Sequence, residues 1–225
     1  MPKYGRACYI VGMTDHPDDD TYIEQHKERL NYMPWLYWRL KPKHLEWAQP
    51  WQIRWQQKLM QLETVIIEDN CFISPQAKLF AEPGRPISIG AGSFIGADAV
   101  LHGPITIGKH VGINHHSTMD GGRAGIHIGD HCRIAAHTRL FAFNHGLDAT
   151  ALIQDQAVTS QGIHLGRDVW LGAGCGILDG VTLGDGAVVG MNATVTRDVR
   201  PYEMVAGSPA RSIGQRQGVP RFDPH

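Results

Sequence analysis

The chain is poor in cysteine: Cys8, Cys71, Cys132 and Cys175 are the four in 225 residues, and no two form a CxxC pair. That spacing excludes a disulfide framework and reads as reduced thiols in a cytoplasmic protein. Long apolar runs are missing as well. No stretch approaches the roughly eighteen apolar residues of a membrane-spanning helix. The opening MPKYGRACYIVGMTDHPDDD carries no apolar core of signal-peptide length. Nor is there an excess of charge of one sign: a formal net charge of −1 leaves no basic footprint for a nucleic-acid partner. Aromatics are sparse at 8%.

Glycine, in contrast, is abundant at 26 residues, and it falls on a lattice. Every sixth residue from Leu165 is aliphatic (Leu165, Leu171, Ile177, Leu183, Val189, Val195), and glycine follows four of these six. The same lattice runs through Ile89, Ile95, Leu101, Ile107, Ile113 and Met119, then Ile128, Ile134 and Leu140, with a weaker start at Ile67, Ile73 and Leu79. Two residues before most anchors stands a small one, Cys132 and Cys175 among them. A period of six suits neither a helix nor a long strand. It fits a coil of three short strands, so that the eighteen anchors build about six rungs of a triangular solenoid. Anchors point inward, the two cysteines fill small interior slots, and the glycine after each anchor is expected to turn the corner through conformations closed to other residues.

Three interruptions break the lattice. Four extra residues lie between Leu79 and Ile89, around AEPGRP, and three between Met119 and Ile128, within DGGRAG. The longest is a loop over about 145–162, before the pattern resumes at Leu165. Function concentrates in loops carried by a rigid scaffold, and His145 stands at the root of this one, in LFAFNHGLDA.

The chain divides into an N-terminal, tryptophan-rich helical segment (1–62), the solenoid (63–199) and a C-terminal extension (200–225). Thr21 and Glu24 form a capping box for a helix over about 21–33. A second helical stretch covers about 43–62, where Pro50 is expected to kink or restart it. Five of the six tryptophans fall between 35 and 55, and from 27 to 60 seven basic residues face two acidic ones. The preferred reading packs the tryptophans on the solenoid; the second is peripheral contact with a membrane.

The stretches IHIGDHCRIAAHTRLFAFNHG, GIHLGRDVWLGAGCGILDGVTLGDGAVVGMNATVTRDV and VAGSPAR resemble the hexapeptide-repeat acyltransferases, in their sugar O-acetyltransferase branch. The resemblance covers roughly residues 65–213. It implies a mainly β fold, a left-handed parallel β-helix, assembled as a homotrimer, with acetyl-CoA as acyl donor and a saccharide as acceptor. It implies His145 as catalytic base and Trp170 beside the pantetheine arm of coenzyme A. Ala173, Met191 and Asn192 would offer backbone groups to the pantetheine amides, and Thr196, Arg197 and Arg211 would lie near the adenosine-phosphate end. Asp120 is similar to an acidic acceptor-site residue, and Asn144 is placed with it on the acceptor side.

Chemistry supports the histidine independently. A sugar hydroxyl is a weak nucleophile until a base removes its proton, and imidazole suits that task near neutral pH. No Ser or Cys adjoins His145, so direct transfer is expected. An amino sugar needs less of a base, which leaves N-acetylation of an amino-sugar nucleotide as one alternative and a non-catalytic scaffold as another. The crowded histidines raise a zinc reading, because γ-type carbonic anhydrases share the fold. Their ligand spacing demands a histidine roughly thirty-five residues before a pair five apart. Cys71–Phe80, that far ahead of His110 and His115, contains none. No metal ligand is therefore assigned.

Overall fold

The computed structural model describes residues 20–216 and Gly218; Cys8 lies outside them. A triangular prism of parallel strands forms six coils. Face A stacks Val65–Ile67, Ile87–Ile89, Ile105–Ile107, Ile126–Ile128, Ile163–Leu165 and Thr182–Leu183 in that order. Face B starts at Phe72–Ile73 and runs through Phe94–Ile95, Gly112–Ile113, Arg133–Ile134, Trp170–Leu171 and Val188–Val189. Face C carries Lys78–Phe80, Val100–His102, Thr118–Asp120, Arg139–Phe141, Gly176–Ile177 and Thr194–Val195. Each anchor pairs with the anchor one coil away, as in Ile89 with Ile107 and Leu140 with Ile177. The prism interior is one continuous apolar cluster containing every anchor from Ile73 to Val195, with Ile67 packed against it. Stacked strands too short to bury anything alone are thus stabilised by what the stack buries.

The corners correct the expected role of glycine. Left-handed backbone does not occur at the glycine after the anchor. It falls three residues after the anchor, at Asn70, Asp98, His110, His116, His131, His137, Asp168 and Asn192, and at glycines such as Gly92 and Gly174. Asn, Asp and His are the non-glycine residues that best tolerate this region, which accounts for four of the crowded histidines. The glycine after the anchor is required for space. A Cβ on Gly90 would lie 2.6 Å from the backbone of Gly108, and one on Gly129 would lie 2.6 Å from that of Gly166.

Cys132 and Cys175 are fully buried in the slots the lattice assigned them, and burial pushes both thiols up to about 11. Cys71 is buried too, its thiol raised by the same desolvation. Thiolate is the reactive form, so these three thiols should resist Ellman's reagent in the folded protein and all react after denaturation.

Helix α1 (Asp20–Tyr32) starts one residue before Thr21, which therefore lies inside it rather than capping it. Helix α2 (Pro42–Leu62) runs unbroken through Pro50, correcting the expected restart. Pro50 is exposed on the outer side, while Ala48 and Gln52 on either side of it are buried. Trp47 and Trp51 pack with Phe72 and Phe94 of face B, and Trp55 packs on the prism core. Gln52 donates to the carbonyl of Ile73 at 3.2 Å and accepts from its N–H at 2.9 Å, and Gln56 donates to the Cys71 carbonyl at 2.9 Å. The two glutamines thereby pair the backbone edge that the first strand of face B would otherwise expose. At the far end Glu203–Ala206 extends face B in parallel, and Arg211–Gln215 returns antiparallel to it, with a register shift between Met204 and Val205.

Candidate active site

All three lattice interruptions leave the prism between face C and face A, so they share one corner. After Phe141 the chain continues past face C, and Asn144 forms an isolated antiparallel bridge with Thr159 through N–H···O bonds of 2.8 and 2.9 Å. This pinch closes the long loop at its root. Ser160 accepts from the N–H groups of Arg123 and Ala124 and donates to the Ala142 carbonyl, tying the loop exit to the second interruption. Asp179 in the next coil accepts from the N–H groups of Gln161 and Gly162, and the Asn144 amide lies 3.4 Å from it. Within the loop, Gln156 accepts from the Asp148 N–H and donates to the carbonyls of Asp148 and Ala151.

The three interruptions enclose a cleft of about 430 Å³. The first contributes Gly84 and Arg85, the second Gly122 and Arg123, and the loop root Phe143, Val158 and Ser160; His102 and Asp120 form the floor. Asp120 is held from three sides. Its Oδ1 accepts from the Gly122 N–H at 2.9 Å and lies 3.4 Å from Arg85 Nη2, and its Oδ2 is 3.2 Å from His102 Nδ1. His102 also reaches toward Glu82, at 3.7 Å. His145 is exposed at the mouth of the loop, its ring edge-on to that of Phe143 with centroids 6.0 Å apart.

Asp120, predicted on the acceptor side, therefore lies on the cleft floor, while Asn144 lies in the pinch at the loop root and His145, one residue on, is not among the residues that line the cleft. Arg85 is not singled out by the sequence, and His102 stands there only among the crowded histidines. The signal for His102 is the lattice itself, since His102 and Asp120 both follow an anchor on face C and pair one coil apart.

The residues expected near coenzyme A occupy the side of the prism past this corner. Trp170 projects from face B and is 54% exposed. Ala173, Met191 and Asn192 cluster at the corner between faces B and C, where Asn192 donates its N–H to the Ala173 carbonyl. Arg211 opens the terminal strand opposite Ala206 and is exposed. The segment before it closes over the last coil, with Ser208 Oγ 2.9 Å from Thr194 Oγ1. Thr196 and Arg197 stand apart from these at the end of face C. Trp170, Met191 and Arg211 are all exposed in the single chain.

Two family descriptions match the lattice: bacterial transferase hexapeptide (six repeats) over residues 162–197 and hexapeptide repeat of succinyl-transferase over 86–114. The chain carries a hexapeptide repeat over these two stretches. This hexapeptide-repeat chain is 52% identical over 52 residues to a chloramphenicol acetyltransferase of Agrobacterium fabrum, 23% of this chain and 25% of that one. It is 27% identical over 197 residues to a probable acetyltransferase of Mycobacterium tuberculosis, covering 83% of this chain and 59% of that one. The chain thus spans between a quarter and three-fifths of the length of these relatives. Among solved structures it is similar to AntD, an N-acyltransferase from Bacillus cereus solved with dTDP and coenzyme A. The identity there is 27% and the TM-score 0.64, over 72% of this chain and 90% of that one. The fold is that of the left-handed β-helix acyltransferases.

Proposed function

We propose that this hexapeptide-repeat chain is an acyltransferase that moves the acetyl group of acetyl-CoA to a saccharide hydroxyl, with His145 as general base. The observation that supports the reading is the convergence of all three lattice interruptions on one cleft, floored by Asp120 and His102 and lined by Phe143, whose ring His145 meets edge-on. The acceptor hydroxyl oxygen attacks the thioester carbonyl carbon while its proton passes to His145. The C–S bond then breaks, and coenzyme A leaves as the thiol after taking a proton. Asp120, fixed by Arg85, His102 and the Gly122 N–H, offers lone pairs to further acceptor hydroxyls, and Asn144 holds the pinch. Trp170, Ala173, Met191, Asn192, Arg211 and, across face C, Thr196 and Arg197 form the coenzyme A side. A homotrimer is part of the proposal, because Trp170, Met191 and the loop residues Leu147, Leu152 and Ile153 are large apolar side chains exposed in the single chain. A neighbouring prism would cover them and close the donor site.

N-acetylation of an amino-sugar nucleotide is the second reading, favoured by the likeness to AntD, whose structures hold dTDP-4-amino-4,6-dideoxyglucose with coenzyme A. Among the described residues no helix is long and apolar enough to cross a membrane. The buried, unpaired thiols suit a cytoplasmic protein. Peripheral membrane contact would fall to the exposed Trp35 and Trp38, since the other helical tryptophans are packed.

Calorimetric titration with acetyl-CoA tests the reading without any knowledge of the acceptor. Saturable binding near one per chain is expected, weakened in Trp170→Ala. Absence of binding would leave the non-catalytic scaffold.

A further inference from the structure

A second cluster lies away from the cleft, at the corner between faces B and C where α1 ends. Three histidines meet there. The rings of His116 and His137, one coil apart at left-handed positions, stack with centroids 4.9 Å apart and planes 18° from parallel. His115 stands nearly perpendicular to both, at 89° and 88°. Each of the three offers a ring nitrogen, and these atoms lie within 4.8 Å of one another. Among the described residues this is the group of three that brings metal-ligating atoms together so closely.

Stacked histidines alone follow from the lattice. His110 with His131 and His127 with His164 stack in the same way on other parts of the prism. The corner at His116 differs in three respects. A third imidazole is added, and it comes from an ordinary backbone position that the turn does not require. The Nδ1 of that ring is buried with no hydrogen-bond partner, a lone pair or N–H left without the bond that buried polar atoms ordinarily make. A carboxylate also stands behind the stack: Asp98 Oδ2 is 3.8 Å from His116 Nδ1 and accepts a 2.8 Å bond from the Tyr32 hydroxyl. An acidic group behind a ligating imidazole is the usual second contact at histidine metal sites.

We infer that His115, His116 and His137 form a binding site for a divalent transition-metal ion, with Asp98 orienting His116. Three imidazoles select zinc and its neighbours over magnesium or calcium, which prefer oxygen. Zinc holds nitrogen at about 2.0–2.1 Å, so drawing the three atoms in from their present spacing moves each ring by less than about 1 Å. The ion would sit where α1 meets the prism. Tyr32 packs on His115 with ring centroids 5.5 Å apart, and Asn31 accepts from the Ala97 N–H at 2.8 Å. Binding would therefore fasten the N-terminal helices to the solenoid.

The test uses the full chain, stripped with a chelator and titrated calorimetrically with Zn²⁺. His137→Asn keeps a residue that left-handed corners accept, as Asn70 and Asn192 do, and His115→Phe keeps the ring that packs on Tyr32. One Zn²⁺ per chain is expected, with each variant weakening binding roughly tenfold or more, while His110→Asn on the other corner binds as the parent does. Thermal unfolding of the parent should shift upward with Zn²⁺ and that of His137→Asn should not. Lack of saturable binding would overturn the site. Binding that survives both substitutions, or that falls equally in His110→Asn, would overturn it in favour of adventitious surface imidazole.

Discussion

His145→Ala is expected to lower the turnover of acetyl transfer to a hydroxyl acceptor by about 10²–10⁴-fold, the usual contribution of a positioned general base. The side chain is exposed, and among the described residues none forms a hydrogen bond or ion pair with it, so the variant should fold and unfold like the parent. Steady-state rates on a saccharide acceptor, alongside a melting curve, check both statements. Two other outcomes would be informative. A loss of only a few-fold would move the reading toward an amine, which attacks a thioester without losing a proton first. A steep loss in His102→Ala with a mild one in His145→Ala would move the base to the cleft floor, where His102 stands 3.2 Å from Asp120.

The second large effect concerns the stack itself. Gly129 has ordinary backbone angles, so alanine there is not opposed by φ. It is opposed by space: the added Cβ would lie 2.6 Å from the carbonyl carbon and oxygen of Gly166 and 2.9 Å from the Arg167 nitrogen. Backbone in a hydrogen-bonded coil cannot swing aside as a side chain can. Gly129→Ala should therefore destabilise the protein by about 3 kcal/mol or more, at the upper end of overpacking, and lower the melting temperature by roughly 6–12 °C. Gly176→Ala is the control. A methyl group added there, on the outer side of face C, would meet no atom within 4 Å, and the variant should stay within about 0.5 kcal/mol of the parent. Equal effects at the two glycines would mean that coil spacing does not limit this prism.

The prism was legible because one physical requirement, an inward aliphatic residue on each side of every coil, repeats without regard to neighbours. Ile89 and Ile107 can be paired from the sequence because nothing else determines where they go. The reason for the glycines was not legible. Periodicity records that a small residue is needed after the anchor, and it is silent on whether the need is for conformation or for room. His145 could be singled out because the loop begins there. The cleft could not be read, because Arg85 and Arg123 arrive from interruptions whose shape the lattice does not dictate. His102 lies one coil from Asp120 on face C, a relation that a count of histidines hides and their register shows. Pro50 does not restart α2, because the turns on either side of it are held by the burial of Ala48 and Gln52.

The closures at the two ends of the prism also bear on what copies of the chain can build. Gln52 and Gln56 occupy the hydrogen-bonding groups of the first strand of face B, and at the opposite end the last strand of that face runs antiparallel with a shifted register. One end thus offers no free ladder on this face and the other offers one of the wrong direction. Head-to-tail growth into a fibre, the hazard of any repeating parallel stack, finds no matching template there.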